Sequence, residues 1–225
     1  MNVRAAVMAV VLAFGVGSAL AQSDKQGTQK PQYSGFLGDY SKLKPATDRE
    51  GVMLYVNKSA KYRDYTKVMF QPVEVYITPG PDYKGVQPDV LKRMSDEFIA
   101  AFKRALSPGY EVVNAPGPGV LIVRTAITGV QPVSPGLTPI DFLPVKMVFN
   151  AGRAAAGKAP QVIELTAEME VLDSDKNRLA AAVANRKGDK TLQQGEQITW
   201  QHLQAISDYW AKSFRQRLDE LRSAT

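Results

Sequence analysis

The sequence predicts an α+β fold: a mixed, largely antiparallel sheet of about five strands with two long amphipathic helices packed on one face. Three observations carry this expectation. Residues 161–173 alternate apolar and polar side chains with the period of a strand. Two stretches, 88–106 and 199–221, repeat apolar residues at spacings of three and four. Turn-rich tetrads and hexads ("SDKN", 174–177; "NAPGPG", 114–119) then join strand-like runs as hairpins.

In chain order, "MNVRAAVMAVVLAFGVGSALAQSD" combines a basic start (Arg4), an uncharged apolar run over 5–17 and small residues at Ala19 and Ala21. This is the pattern of a cleavable secretory signal, with cleavage expected after Ala21. The apolar run is shorter than the ~20 residues a membrane-spanning helix needs, so no transmembrane segment is expected after cleavage. The destination is the periplasm. "QSDKQGTQKPQ" (22–32) is polar, without aromatics or periodicity, and reads as a disordered tether. Residues 33–225 form one α+β domain, long enough to bury a substantial core.

Within it, "KVMFQPVEVYI" (67–77) is the first dense strand-like run, and Pro72 makes it an edge strand or marks a bulge. Pro88 suits the first position of the helix 88–106, whose stripe is Leu91, Met94, Phe98, Ala101, Phe102 and Ala105. "YEVV" (110–113) and "VLIVRTAITGV" (120–130) read as a hairpin, and "QPVSPGLTPIDFLP" (131–144), with four prolines, as an irregular connector. Residues 145–156 fit helix and strand equally. In 161–173, Ile163, Leu165, Ala167, Met169 and Val171 mark a buried face, with Glu164, Thr166, Glu168 and Glu170 on a wet one. "RLAAAVANR" (178–186) returns as its partner, "KGDKTLQQGEQ" is a polar loop, and Leu203, Ile206, Trp210, Phe214, Leu218 and Leu221 stripe the last helix.

Composition excludes several chemistries. With no cysteine there is no disulfide, thiol nucleophile, thiolate metal site or lipid-acceptor cysteine. Loss of Arg4 with the signal takes 28 basic residues to 27 against 22 acidic, a net of +5. That spread-out excess suits weak contact with anionic lipid or cell-wall polymer, and it lacks the basic stripe with interleaved aromatics that nucleic acid requires. His202 is the only histidine, so no two-histidine metal site exists.

Candidate motifs fall one by one. Gly152–Lys158 in "AGRAAAGKAP" has the spacing of a phosphate loop. However, Ala159 stands where a Mg²⁺-ligating hydroxyl is needed, and Pro160 leads into a strand rather than a helix. Ser41-x-x-Lys44 matches penicillin-binding enzymes without their companion motifs. Glu164, Glu168 and Glu170 could serve as paired acids or hard-cation ligands, but a solvated sheet face explains their alternation. The aromatics Tyr33, Phe36, Tyr40, Tyr55, Tyr62 and Tyr65 either fill gaps in the core or present a binding patch, for which Tyr33, Phe36, Asp39 and Tyr40 are the candidate residues. No cofactor and no metal are expected.

Taken in order, "YSGFLGDYSKLKP" (33–45), the Tyr-Val pair at 55–56, "YTKVMFQPVEVY" (65–76), "PDVLKRMSDEFIAAFKRAL" (88–106) and "EMEVLDSDKNRLAAAVANRKGD" (168–189) resemble the bacterial domain-of-unknown-function family 3313. The resemblance implies a secreted envelope protein of α+β fold, often lipoprotein-like, with no established catalytic residues. The signal here ends in "ALAQ", without the cysteine of a lipoprotein. The leading expectation is a non-catalytic envelope protein for binding, assembly or maintenance, with another envelope protein or a glycan as partner. A small-ligand or glycan-binding protein is the alternative, and a hydrolase of unrecognised type comes third.

Overall fold

The computed structural model describes residues 33–76, 88–133, 160–193, 196 and 198–224. The signal (1–21), the tether (22–32), the ambiguous stretch 145–156 and the Gly152–Lys158 motif lie outside the described residues.

The chain runs β1 (Lys44–Pro45), β2 (Val52–Val56), a 3₁₀ turn (Tyr62–Asp64), β3 (Lys67–Phe70), β4 (Glu74–Val75), α1 (Pro88–Leu106), β5 (Glu111–Val112), β6 (Val120–Val133), β7 (Gln161–Leu172), β8 (Arg178–Leu192) and α2 (Trp200–Ala224). All eight strands join one mixed sheet in the order β1-β2-β8-β7-β6-β3-β5, with β4 also paired to β6. The expected five strands become eight because β1 and β2 were not expected and the run 67–77 divides into β3 and β4.

The long antiparallel strands β6, β7 and β8 form the centre. Their alternation sorts side chains onto two faces. On one, Ile127 and Val130 of β6 and Ile163, Leu165 and Ala167 of β7 cluster with Met94, Phe98 and Phe102 of α1 and with Leu203, Ile206 and Trp210 of α2. Beside it, Val68, Leu121, Val123 and Val171 pack with Leu106, Leu218, Tyr62 and Tyr110. On the other face, Ala126, Ala181 and Val183 lie under Phe36, Leu37 and Leu43.

Four sequence expectations about these elements change. The run 67–77 splits at Pro72: its halves, β3 and β4, both pair parallel to β6. The predicted hairpin 110–130 does not form, because β3 inserts between β5 and β6 and pairs in parallel with each. That insertion places Val68, fully buried, against Leu121 and Val123. Residues 131–133 continue β6 rather than opening the connector, with Pro132 opposite Ile163. Beyond Ile127 no other described strand pairs with β6 on its outer side, and there a missing proline N–H is tolerated.

The predicted loop after Arg186 is also strand as far as Leu192, paired with β7 across a bulge between Val162 and Glu164. Gly188 sits where a Cβ would lie 2.8 Å from the carbonyl oxygen of His202, so its missing side chain lets the start of α2 lie close against β8.

Candidate functional site: a covered carboxylate face

The polar face of β7, predicted to be wet, is buried. Glu164, Thr166, Glu168 and Glu170 are all below one-tenth exposed, and Glu168 is only 1% exposed. Carboxylates tolerate such burial only when donors and counter-charges meet them. Both are supplied, by neighbouring strands and by the segment 33–43.

Register brings the partners together. Arg124 of β6 and Ala181 of β8 lie opposite Glu170, and Ala126 and Val183 lie opposite Glu168. Glu170 is paired on both sides: Oε1 with Arg124 Nη1, and Oε2 with Arg178 Nε at 3.0 Å and Nη2 at 2.9 Å. Arg124 also reaches the exposed Glu74 at 3.4 Å. Farther along the face, Gln131 donates to Glu164 at 2.8 Å and Asn185 to Thr166 at 3.2 Å.

The segment 33–43 lies over this row as a strap. Its turn uses positive φ at Gly35 (95°) and Gly38 (69°), which glycine adopts without strain. The Tyr40 hydroxyl is the hub. It accepts the backbone N–H groups of Gly35 (2.9 Å) and Leu37 (3.2 Å) and donates to Glu168 Oε2 at 2.6 Å. Glu168 Oε1 accepts the Ser34 N–H at 3.0 Å. Arg178 extends from the sheet to the carbonyls of Leu37 and Asp39, the latter at 2.7 Å. Tyr33 stacks flat on Tyr40, ring centres 4.0 Å apart.

The four residues singled out from sequence therefore divide. Tyr33, Phe36 and Tyr40 pack down onto the sheet, Phe36 being buried with Arg124 over its ring at 4.9 Å. Asp39 stays exposed, accepting the Ser41 N–H at 2.9 Å. Hydrogen bonds from the Ser41 side chain and then from this N–H, with Arg178 and Lys42 nearby, hold its carboxyl below the usual range. Ser41 thus faces Asp39, and the Ser41-x-x-Lys44 spacing builds no nucleophile with Lys44, which is exposed on β1.

Sequence reasoning missed the roles of Arg124, Arg178, Glu168 and Glu170. The available signal was that alternate acids on a strand, with an arginine opening its hairpin return and tyrosines elsewhere unplaced, have enough donors to go inside.

His202 is buried near the N-terminus of α2. Thr199 donates its backbone N–H to Nδ1 at 3.2 Å, a capping box with histidine in the usual glutamate position. Nδ1 being an acceptor assigns the proton to Nε2, which faces Glu196 Oε1 at 3.4 Å. Thr199 and Glu196 are its polar side-chain partners, so the ring serves as a helix cap. Among the described residues, no group of three or more histidine and acidic side chains could hold a metal ion. No described helix is long and apolar enough to cross a membrane.

Burial pushes the phenols of Tyr40 and Tyr62 up to about 12, helped for Tyr40 by its bond to Glu168 and for Tyr62 by Tyr55 and Tyr65. Their ordinary value is 10.0, so the unfolded chain releases these protons first. The stabilisation is complete below pH 10 and is lost as pH rises through 12. Tyr62 also donates to the Leu179 carbonyl at 2.8 Å. Urea midpoints followed across this range should fall in the wild type and fall less steeply in Tyr62→Phe. Parallel pH profiles would contradict the assignment.

Comparison with known proteins places the chain. It is 31% identical over 176 residues to the uncharacterized lipoprotein YdcL of Escherichia coli K12, covering 77% of this chain and 79% of that protein, and matches the O157:H7 form equally. Among solved structures, the PelC dodecamer of Paraburkholderia phytofirmans is 10% identical, covering 72% of this chain and 96% of that one, with a TM-score of 0.38. A protein from Xanthomonas campestris is 12% identical, covering 76% and 94%, also with a TM-score of 0.38. Scores this low carry no weight for fold or function. The family model described as "Protein of unknown function (DUF3313)" matches residues 32–214, and the chain belongs to that family.

Proposed function

We propose that the protein is a non-catalytic component of the cell envelope, exported to the periplasm, that binds a partner in envelope assembly or maintenance. The observation that carries this reading is how the buried acids are used. Both oxygens of Glu168 and both of Glu170 are engaged by donors of the same chain, so these two acids of the row are occupied in holding the strap and the arginine that reaches it. Kinship with a lipoprotein supports an envelope location, as do the signal-like residues 1–21. Without a lipid-acceptor cysteine, contact with a membrane is peripheral and rests on the modest excess of basic residues. Proximity labelling from the full chain in native periplasm should mark one or a few specific envelope proteins. Recovery of the chain from crosslinked periplasm as a monomer with no partner would overturn this reading.

One observation favours glycan as the partner. Tyr76, 38% exposed, meets Phe36 edge-on at 5.8 Å; Phe36 shares its cluster with the stacked Tyr33 and Tyr40, and Asp39 of the same strap is exposed. Aromatic faces beside a carboxylate suit a sugar ring. A thermal-shift screen against cell-wall fragments separates the two readings, since only a glycan site gives a shift.

A further inference from the structure

The strap is held differently from the rest of the domain. No residue of 33–43 enters a strand ladder, the first of which begins at Lys44. Three apolar side chains, Phe36, Leu37 and Leu43, anchor it to Ala126, Ala181 and Val183. Tyr33 and Tyr40, partly buried, add to that packing, and the polar fastening is two donors on Glu168 and the reach of Arg178 to two strap carbonyls.

Closure of this strap is thermodynamically opposed at two points. Among the described residues Glu168 is buried with hydrogen bonds but no ion-pair partner, because Arg124 and Arg178 both pair with Glu170. Taking a carboxylate out of water on those terms disfavours the closed state. Ordering the whole segment also costs conformational entropy, offset by three fully buried apolar side chains and the partly buried Tyr33 and Tyr40. Opening rehydrates Glu168 and leaves the Arg124–Glu170–Arg178 pairing within the sheet intact. The strap therefore belongs to the low end of the local-stability range, and the β6–β7–β8 centre to the high end.

We infer that residues 33–43 are an autoinhibitory cover that opens as a unit, and that the sheet face beneath it is the docking surface for a partner peptide. This rests on the partner-binding reading above and names its site. The strap's own contacts define what fits. Glu168 takes a backbone N–H and a hydroxyl, and Arg178 takes two backbone carbonyls. The small floor of Ala126, Ala181 and Val183 takes an adjacent aromatic and aliphatic pair. A turn-forming segment with such a pair followed by tyrosine meets all three demands.

Hydrogen exchange on the full chain tests the cover. The Ser34 amide should exchange ~100-fold faster than the amide of Ala167 in β7, and Tyr40→Phe should speed the strap amides ~10-fold while leaving Ala167 unchanged. Equal rates in strap and β7, or equal acceleration of both, would mean the strap opens only with global unfolding. Docking is tested with the labelled peptide YSGFLGDYSKLKP (residues 33–45) added to the full-length Phe36→Ala/Leu37→Ala variant, in which the strap is loosened and the face unchanged. At least ~10-fold tighter binding to this variant than to wild type is expected. Equal binding to both overturns the cover, and no binding to the variant overturns the docking surface. Should the peptide fail while proximity labelling still yields a partner, this face is rejected and partner binding stands. The reverse result rejects partner binding alone.

Discussion

Phe102→Ala lowers the free energy of unfolding by about 4 kcal/mol, read as a shift in urea midpoint at unchanged slope. The ring is 1% exposed in the middle of α1. It contacts Phe98 at 4.8 Å, Phe214 of α2 at 5.6 Å and Phe70 of β3 at 6.0 Å. Its removal opens a cavity between three elements whose rigid rings cannot collapse into it. Phe102→Leu, which keeps most of the volume, should cost less than half as much. A small effect of Phe102→Ala would mean that the helices do not share the aromatic cluster with the sheet.

Glu170→Ala costs about 3 kcal/mol through a different mechanism. Its carboxylate is 4% exposed and holds two guanidinium groups on the sheet, so truncation leaves Arg178 without its acid and Arg124 with only the distant, exposed Glu74. Both arginines are about one-quarter to one-third exposed, so water relieves part of the penalty and the figure sits at the low end for a broken buried pair. The decisive comparison is Arg124→Ala/Glu170→Ala. The double variant should be more stable than the sum of the single losses predicts, since the second truncation removes a charge the first had orphaned. Strict additivity would show that Arg124 and Glu170 do not interact.

What was legible in the sequence follows the reach of periodic signals. Helix 88–106 is found at those bounds because Met94, Phe98, Ala101 and Phe102 make an unbroken stripe between Pro88 and "SPG". Strand β7 is legible from alternation and β8 as far as Arg186 as its return after the turn, whereas 187–192, read as a polar loop, continue β8. The parallel contacts are not, because β3 pairs with residues some fifty positions ahead of it and nothing local records that choice. Alternation in 161–173 correctly separated two faces but said nothing about whether water or protein covers the second. That depended on Arg124, Arg178 and Tyr40, three residues on three segments that meet only in the fold. Binding at Tyr33, Phe36, Asp39 and Tyr40 remains a proposal, and the structure adds that the three aromatics already have partners inside the domain.

The bond from Ser34 to Glu168 joins positions 134 residues apart, and that from Leu37 to Arg178 joins positions 141 apart. During synthesis, and during export if the chain threads through a membrane from its N-terminus, the strap emerges early while its seat does not yet exist. The seat is complete only once β8 has paired with β7, close to the end of the chain. Contacts of such long sequence separation form late. Until then Tyr33, Phe36, Leu37 and Tyr40 travel uncovered, an early apolar surface of the domain that a chaperone can meet long before the fold hides it.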